Sequence, residues 1–512
     1  MDLTVIREGI VVCETIFEGS VEQPVDLDFV LPDYCPDITR VLKCSILPQI
    51  NAKQILGDRL NVEGTALIRL CYVGQSGGVR LYENAVPFSS SFNLKSSPED
   101  CLSDVSANVE YVNCRATSQR RLDIHAALLL SARLVSKSRT EIASGLEGDS
   151  IETKKKLLSY DSVASAVQQH FTVTETVEIG RDKSTPKQIL RTEAHLVFSD
   201  YKAIVNKVIL KAEAVFKVVY LTDDSPERVE RMEYSLPVSQ ILDVPGLDES
   251  VRCAVRLDIL SSHIAMDTDV LDDAGRFKAE LKAVATLYAF ERTEVPVLLD
   301  AYSTRGELTV GFADKPLPSF VQTHNENHIC KGNLSIRDTG IDEVADIWFE
   351  CQKGMSALCA DGRLTVSGKI NVCLLALDSE GEYLYLERSA DYEYIKKLAA
   401  DDDLLCKDLG AVPLSIGYRM NTSGELEIQA ELRICASLYA QQQVQCIDTA
   451  ALDEESETDR STLPGLVVYF ADRGEELWDI ARAHATCVRA IREENNLTGD
   501  VMENKDMLIL PV

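Results

Sequence analysis

The chain has 512 residues, a formal net charge of −30 and a pI near 4.7. Such acidity disfavours a nucleic-acid interface or an anionic-membrane surface, because both need basic groups; its simplest effect is solubility. A hydrophobic content of 45% supports several buried cores, and the length suggests three or four domains.

The amino-terminal stretch Met1 to Glu8 lacks a basic segment followed by an apolar one. It is not expected to act as a signal peptide, and no stretch approaches the ~18 apolar residues of a membrane span. The 15 cysteines, from Cys13 to Cys487, stand singly, several inside apolar runs such as those around Cys71, Cys373 and Cys435. That usage predicts reduced thiols in the cytosol and no disulfide framework.

Residues Leu60 to Tyr72 alternate apolar and polar side chains, the pattern of a half-buried antiparallel strand. The pattern returns at Leu210 to Tyr220 and at Leu364 to Leu374, so that Gly64, Ala212 and Gly368 stand 148 and 156 residues apart. A turn follows each time, at Gly74 to Gly78, Thr222 to Pro226 and Asp378 to Gly381. A short aromatic strand comes next, at Glu83 to Phe92, Glu230 to Leu236 and Glu387 to Tyr394. A second alternating strand completes each unit, at Leu122 to Leu134, Phe277 to Leu287 and Leu426 to Leu438, with Ala126, Ala279 and Ala430 taken as counterparts. A lone hairpin is unstable, so each unit is expected to be a larger sheet or sandwich. The expected modules are residues 1–140, 165–292 and 298–440. Residues 137–160, with Gly145 to Gly148 and the run Lys154 to Lys156, have the turn chemistry of a joint. Residues 441–464, glutamine-rich and then acidic, read as a solvated tether. Residues 465–512 form the last unit.

In that unit a short strand reaches a turn at Gly474, and Leu477, Ile480 and Ala481 then recur with helical spacing. Val488 and Ile491 begin a second helix that Asn495 and Asn496 stop, and the run Leu508 to Leu510 closes the unit. This order resembles the LysM domain, a β-α-α-β module. The resemblance implies glycan binding between the first strand–helix turn and the loop before the last strand, which makes Gly474, Glu475, Glu476, Trp478, Asn504 and Lys505 the candidate binding residues. Trp478 also suits the core of the unit. The turn departs from the family, with Glu475 and Glu476 in place of Asp and Thr, and Asn504 and Lys505 in place of Pro and Gly. These longer acidic side chains favour a protein ligand over peptidoglycan.

The body resembles the SPOCS domain of spore coat assembly proteins. The most specific wording is Leu31-Pro-Asp-Tyr-Cys35-Pro36-Asp37-Ile38, continued by Arg40, Val41 and Leu42 and echoed at Pro186 to Arg191. The resemblance implies a scaffold in the mother-cell cytosol, at the forespore and coat surface. Its expected partners are the coat basement-layer ATPase, met through the LysM-like unit, and other coat proteins. A peptidoglycan-binding wall protein is the alternative.

The sequence has no Gly-x-Gly-x-x-Gly, Walker-type loop, Gly-x-Ser-x-Gly elbow or Cys-x-x-Cys. No enzymatic activity and no cofactor are expected. His324, His328 and Cys330 are the nearest approach to a zinc site, with a polar loop as the default. Asp401 to Asp403 and the segment Asp267 to Gly275 read as turns, and Pro36–Asp37 fits a helix start. The expected class is mainly β, three repeated antiparallel sandwich modules with a small β-α-α-β domain. The facing assignment has a direct test in chemical denaturation: Leu432→Ala should cost about 2–5 kcal/mol, and Glu427→Ala, on the opposite face, far less.

Overall fold

In a computed structural model, the described residues are 3–98, 100–180, 183–267, 275–399, 404–421, 424–453 and 466–511. The alternating runs are strands, and their apolar faces are buried: Leu60, Val62, Ile68, Ile124 and Leu128 are all within 1% of complete burial. Leu426, Ile428 and Leu432 repeat this in the third unit.

Each unit has two antiparallel sheets packed face to face. In the first, β1 (Thr4–Val30), β5 (Cys101–Ala116) and β6 (Arg121–Glu147) form one sheet with β6 central. The other sheet holds β2 (Ile38–Leu56), β3 (Arg59–Gly74) and β4 (Val79–Asn93), with β3 central. Between them lies one core, to which β2 gives Ile46, β3 gives Leu60 and Ile68, and β6 gives Ile124 and Leu130. The second unit repeats this order. Its first sheet is β7 (Ile151–Glu178), β11 (Arg252–Met266) and β12 (Arg276–Ser303), and its second is β8 (Pro186–Ile204), β9 (Lys207–Thr222) and β10 (Val229–Asp243). In the third unit β13 (Glu307–Ser335), β18 (Leu404–Met420) and β19 (Glu425–Asp453) make the first sheet. The second has β16 (Arg363–Asp378) between β17 (Tyr383–Lys397) and an edge split into β14 (Ile341–Cys351) and β15 (Ser356–Ala360).

The β-bulges show how closely the units correspond. Leu42 is the extra residue between Val41 and Lys43, Leu190 between Ile189 and Arg191, and Ala345 between Val344 and Asp346. A bulge re-aims a side chain. Here all three extra residues join one cluster shared by the units, with Val73, Val219, Leu221 and Leu375. Ser144, Leu299 and Asp448 are likewise the extra residues of β6, β12 and β19. The bulges that place Leu134, Ala289 and Leu438 as counterparts also correct one alignment: Ala126 and Ala430 correspond to Leu281, two residues beyond Ala279.

Strands continue through the expected joints. β6 runs to Glu147 and β7 starts at Ile151; β12 runs to Ser303 and β13 starts at Glu307. The unit ends therefore lie near 147–151 and 303–307, and β7 and β12 cross the expected boundaries at 165 and 292. The physical reason is a core common to all three units. Ile142, Val297 and Cys446, counterparts by register, pack together with Ile10, Leu158, Tyr160 and Leu317. Ala143, Leu298 and Ile447 form the adjoining layer. Likewise the start of the expected tether is strand, since Val444 to Asp453 pair with β13. Its remainder, 454–464, lies outside the described residues, as do Asp401 to Asp403 and residues 268–274. Asp267 and Arg276 close the hairpin around the latter through a backbone bond of 2.8 Å.

Two charge clusters also cross the units. Asp104 and Arg133 of the first, Arg256 and Asp258 of the second and Asp408 of the third form one network. Asp408 holds φ at 53°, a conformation that Asp tolerates better than most residues, within a bulge of β18. In the other cluster Arg191 donates to Asp346 at 2.7 Å and to Glu193, and it lies over the Trp348 ring. Lys43 reaches Glu350 at 2.9 Å beside it. Burial pushes the Glu193 carboxyl up, but Arg191 and His195 outweigh it and hold the pKa down at about 2.

Arg191→Met strands the buried Asp346 carboxylate and should cost about 3–5 kcal/mol in urea unfolding. The depressed Glu193 pKa contributes stability above its ordinary value near 4.5 that is lost as pH falls towards about 2. The acid limb of the stability profile should be shallower in that window in the variant.

Candidate functional site

The terminal unit has the expected order. β20 (Leu466–Ala471) leads to α1 (Leu477–Ala483) and α2 (Val488–Glu494), and β21 (Asp506–Pro511) pairs back antiparallel to β20. Leu477, Ile480, Ala481 and Ile491 on the helices meet Ala471, Leu508 and Leu510 on the strands in its core.

Gly474 sits at φ 90°, where a side chain would strain the turn. The turn's amides are already used: Gly474 N–H donates to Met502 O and Leu477 N–H to Asp500 O, both at 2.8 Å. Met502 N–H in turn donates to Glu475 O at 2.9 Å. Glu475 folds back on its own turn, accepting from the Asp472 N–H at 2.9 Å and from the Tyr469 hydroxyl at 3.3 Å. Lys505 pairs with Asp472 at 2.8 Å, and Asn504 is exposed beside it. Glu475, Asn504 and Lys505 thus lie around one rim.

Glu476 and Trp478 face the second sandwich unit. Glu476 pairs with Lys154 of β7. Trp478 is 8% exposed, donates from Nε1 to Asp300 at 2.8 Å and meets the Tyr302 ring edge-on with centroids 4.9 Å apart. Arg482 also donates to Asp300, at 2.7 Å, and the Tyr302 hydroxyl donates to Thr486 O at 2.7 Å. Of its two sequence readings, Trp478 takes the core one. Asp300 and Tyr302 of β12 were not singled out in the sequence, where they read as the end of an apolar run. The outward face of β20–β21 stays open, with Leu466, Val468, Phe470 and Met507 all about half exposed or more.

Elsewhere, His324, Glu326, His328 and Cys330 lie at alternate positions on one face of β13. At ~3.3 Å per residue, His324 and His328 stand about 13 Å apart along the strand, too far to share a metal ion. His324 Nε2 donates to the Tyr394 hydroxyl at 2.8 Å, which donates to Glu326 at 2.9 Å. Burial lowers the His324 pKa, keeping the ring neutral. No group of three or more potential ligands that could hold a metal lies among the described residues. Pro36–Asp37 leads into strand β2 and starts no helix. Residues 31–37 instead wrap Arg120, which donates to the carbonyls of Leu31, Pro32 and Cys35 and to Asp37. Arg120 falls in a polar turn and carries no pattern that would mark it in sequence.

The fold and site define an assembly of repeated β-sandwiches carrying a small α/β unit. The family described as "SipL, SPOCS domain" matches residues 37–117 and 186–266. The two matched stretches are SPOCS domains like those of SipL, and the match associates the chain with sporulation and the spore coat. No curated protein and no solved structure matches it. No helix among the described residues is long and apolar enough to cross a membrane.

The contact between the terminal unit and the second sandwich can be tested by hydrogen exchange. Tyr302→Ala should speed exchange of the amides from Ala471 to Met502, with the strands of the first sandwich unchanged, since it opens the core around Trp478.

Proposed function

We propose that the protein is a non-enzymatic scaffold of endospore coat assembly, working in the mother-cell cytosol. In this reading the terminal unit is a LysM domain that docks on the coat basement-layer ATPase, and the sandwich body presents further surfaces to other coat proteins. The observation that carries it is the state of the terminal unit's turn. A saccharide needs free backbone donors at that turn, yet the Gly474 and Leu477 amides are spent on Met502 and Asp500. What the unit leaves open suits a protein: an apolar strip of Leu466, Val468, Phe470 and Met507 and a charged rim of Glu475 and Lys505. Apolar strips with polar borders are characteristic of protein contacts. The SPOCS match supplies the sporulation context.

The test uses the tagged full-length chain against a sporulating-cell lysate, blotted for the ATPase, and against purified peptidoglycan. Capture of the ATPase without sedimentation on peptidoglycan is expected. Phe470→Asp should abolish capture. Glu475→Lys should weaken it and change its salt dependence, as rim charges do, with the thermal midpoint of each variant checking the fold. Firm binding to peptidoglycan with no ATPase captured would instead support the wall-protein alternative.

A further inference from the structure

The three sandwich units meet around a cavity of about 360 Å³ with walls from all of them. Strand register shows which lining residues are counterparts. Val135, Phe290 and Tyr439 sit opposite Thr15, Val163 and Phe320, each pair beside the same bulge. The second and third units fill their shares with rings. Phe290 and Phe320 stack with centroids 4.9 Å apart, and Tyr439 lies 5.5 Å from Phe320 and 5.9 Å from Phe290. The first unit contributes Cys13, Thr15, Glu18, Arg133 and Val135, none of them aromatic. The space is therefore where a third aromatic side chain would stand if the repeat were regular. Its volume lies within the ~300–1,000 Å³ of small-molecule sites.

The charges at the wall are mostly neutralised within the protein. Both oxygens of the buried Asp161 accept from Arg252 at 2.7 Å, and Asp408 pairs with Arg133 and Arg256. Lys407 differs. Its ammonium lies 5.2 Å from the centre of the Tyr439 ring, and it has no ion-pair partner among the described residues. Glu18 stands exposed at the edge of the cavity.

We infer that this cavity is a binding site for an aromatic carboxylate. The ring takes the place of the missing third side chain, against Phe290, Phe320 and Tyr439, where offset stacking and edge contacts are available. The carboxylate meets Lys407, which is free to pair without breaking an internal bridge. Such a ligand touches all three units at once, so its binding favours the assembled body over any state in which they part.

The experiment is isothermal titration of the full-length protein with 2-naphthoate, and with uncharged 2-naphthalenemethanol for comparison. Saturable binding of 2-naphthoate with a Kd of about 0.1 mM or tighter is expected, with a rise in thermal midpoint. Val135→Phe supplies the absent ring from within and should weaken binding at least about tenfold while keeping or raising the midpoint. Lys407→Met should weaken 2-naphthoate by about tenfold and leave the alcohol unchanged. No saturable binding to the unaltered protein would overturn the inference, as would unchanged affinity in a folded Val135→Phe variant. Should Val135→Phe not fold, Lys407→Met decides: equal loss for acid and alcohol, or no loss for either, overturns it.

Discussion

The architecture depends on the burial of three two-strand extensions against one another. The outer half of each long antiparallel pair, β1 with β6, β7 with β12 and β13 with β19, has an apolar face that its own sandwich does not cover. Ile142 is covered because Val297 and Cys446 are there, and the reverse holds for each of them. An isolated unit would expose this face to water at about 25 cal/mol per Å² of apolar surface. The units are therefore better regarded as thirds of one body than as beads on a string. The short connections between β6 and β7 and between β12 and β13 leave little room for any other arrangement.

Packing three similar units around a common centre creates a difficulty that the sequence resolves by breaking its own repeat. Counterpart residues are brought close together, so a charge kept in all three units would repel itself at short range in a partly buried setting. The counterparts Lys43, Arg191 and Asp346, set by the shared bulges, show the solution. One of the three has become acidic, and Glu193 and Glu350 neutralise the remaining cations. In the other network Asp408 enters the left-handed region at a bulge, where it reaches Arg133 and Arg256 from two other units. The same divergence at Val135, Phe290 and Tyr439 sets a small side chain where a third ring would stand, and it leaves a cavity behind.

This explains which parts of the fold were legible in the sequence. Strands such as Leu122 to Leu134 bury one face inside their own unit, so their alternation is regular and local. The extensions are interrupted by bulges at Ser144, Leu299 and Asp448, which shift the period of 2 by one residue. Gly145 and the lysines from Lys154 then read as a joint, although β7 continues through those lysines and Leu158 and Tyr160 beyond them are buried by other units. The spacing of His324, His328 and Cys330 suggested ligands only while the local structure was open. On a strand it becomes one face of a sheet, packed against Tyr392 and Tyr394. Ala279 and Ala126 hold similar places in alternating runs, and only the bulge register moves the correspondence to Leu281.

The terminal unit was legible in order and core because its helices are short and amphipathic and Gly474 marks the turn. Its orientation was not, because docking is decided by two side chains some 180 positions upstream, Asp300 and Tyr302. That docking has a mechanical consequence. Asp300 accepts from both Trp478 and Arg482, so one carboxylate fixes two points of α1 relative to β12. Lys154 adds a third point through Glu476. A partner pulling on the open face of β20–β21 would therefore load the second sandwich through α1, and through the core common to the units the other two. A tethered domain would pass on only the position of its anchor, whereas a docked one also passes on orientation. The contact around Asp300 and Tyr302 thus makes the orientation of the small unit a property of the whole body.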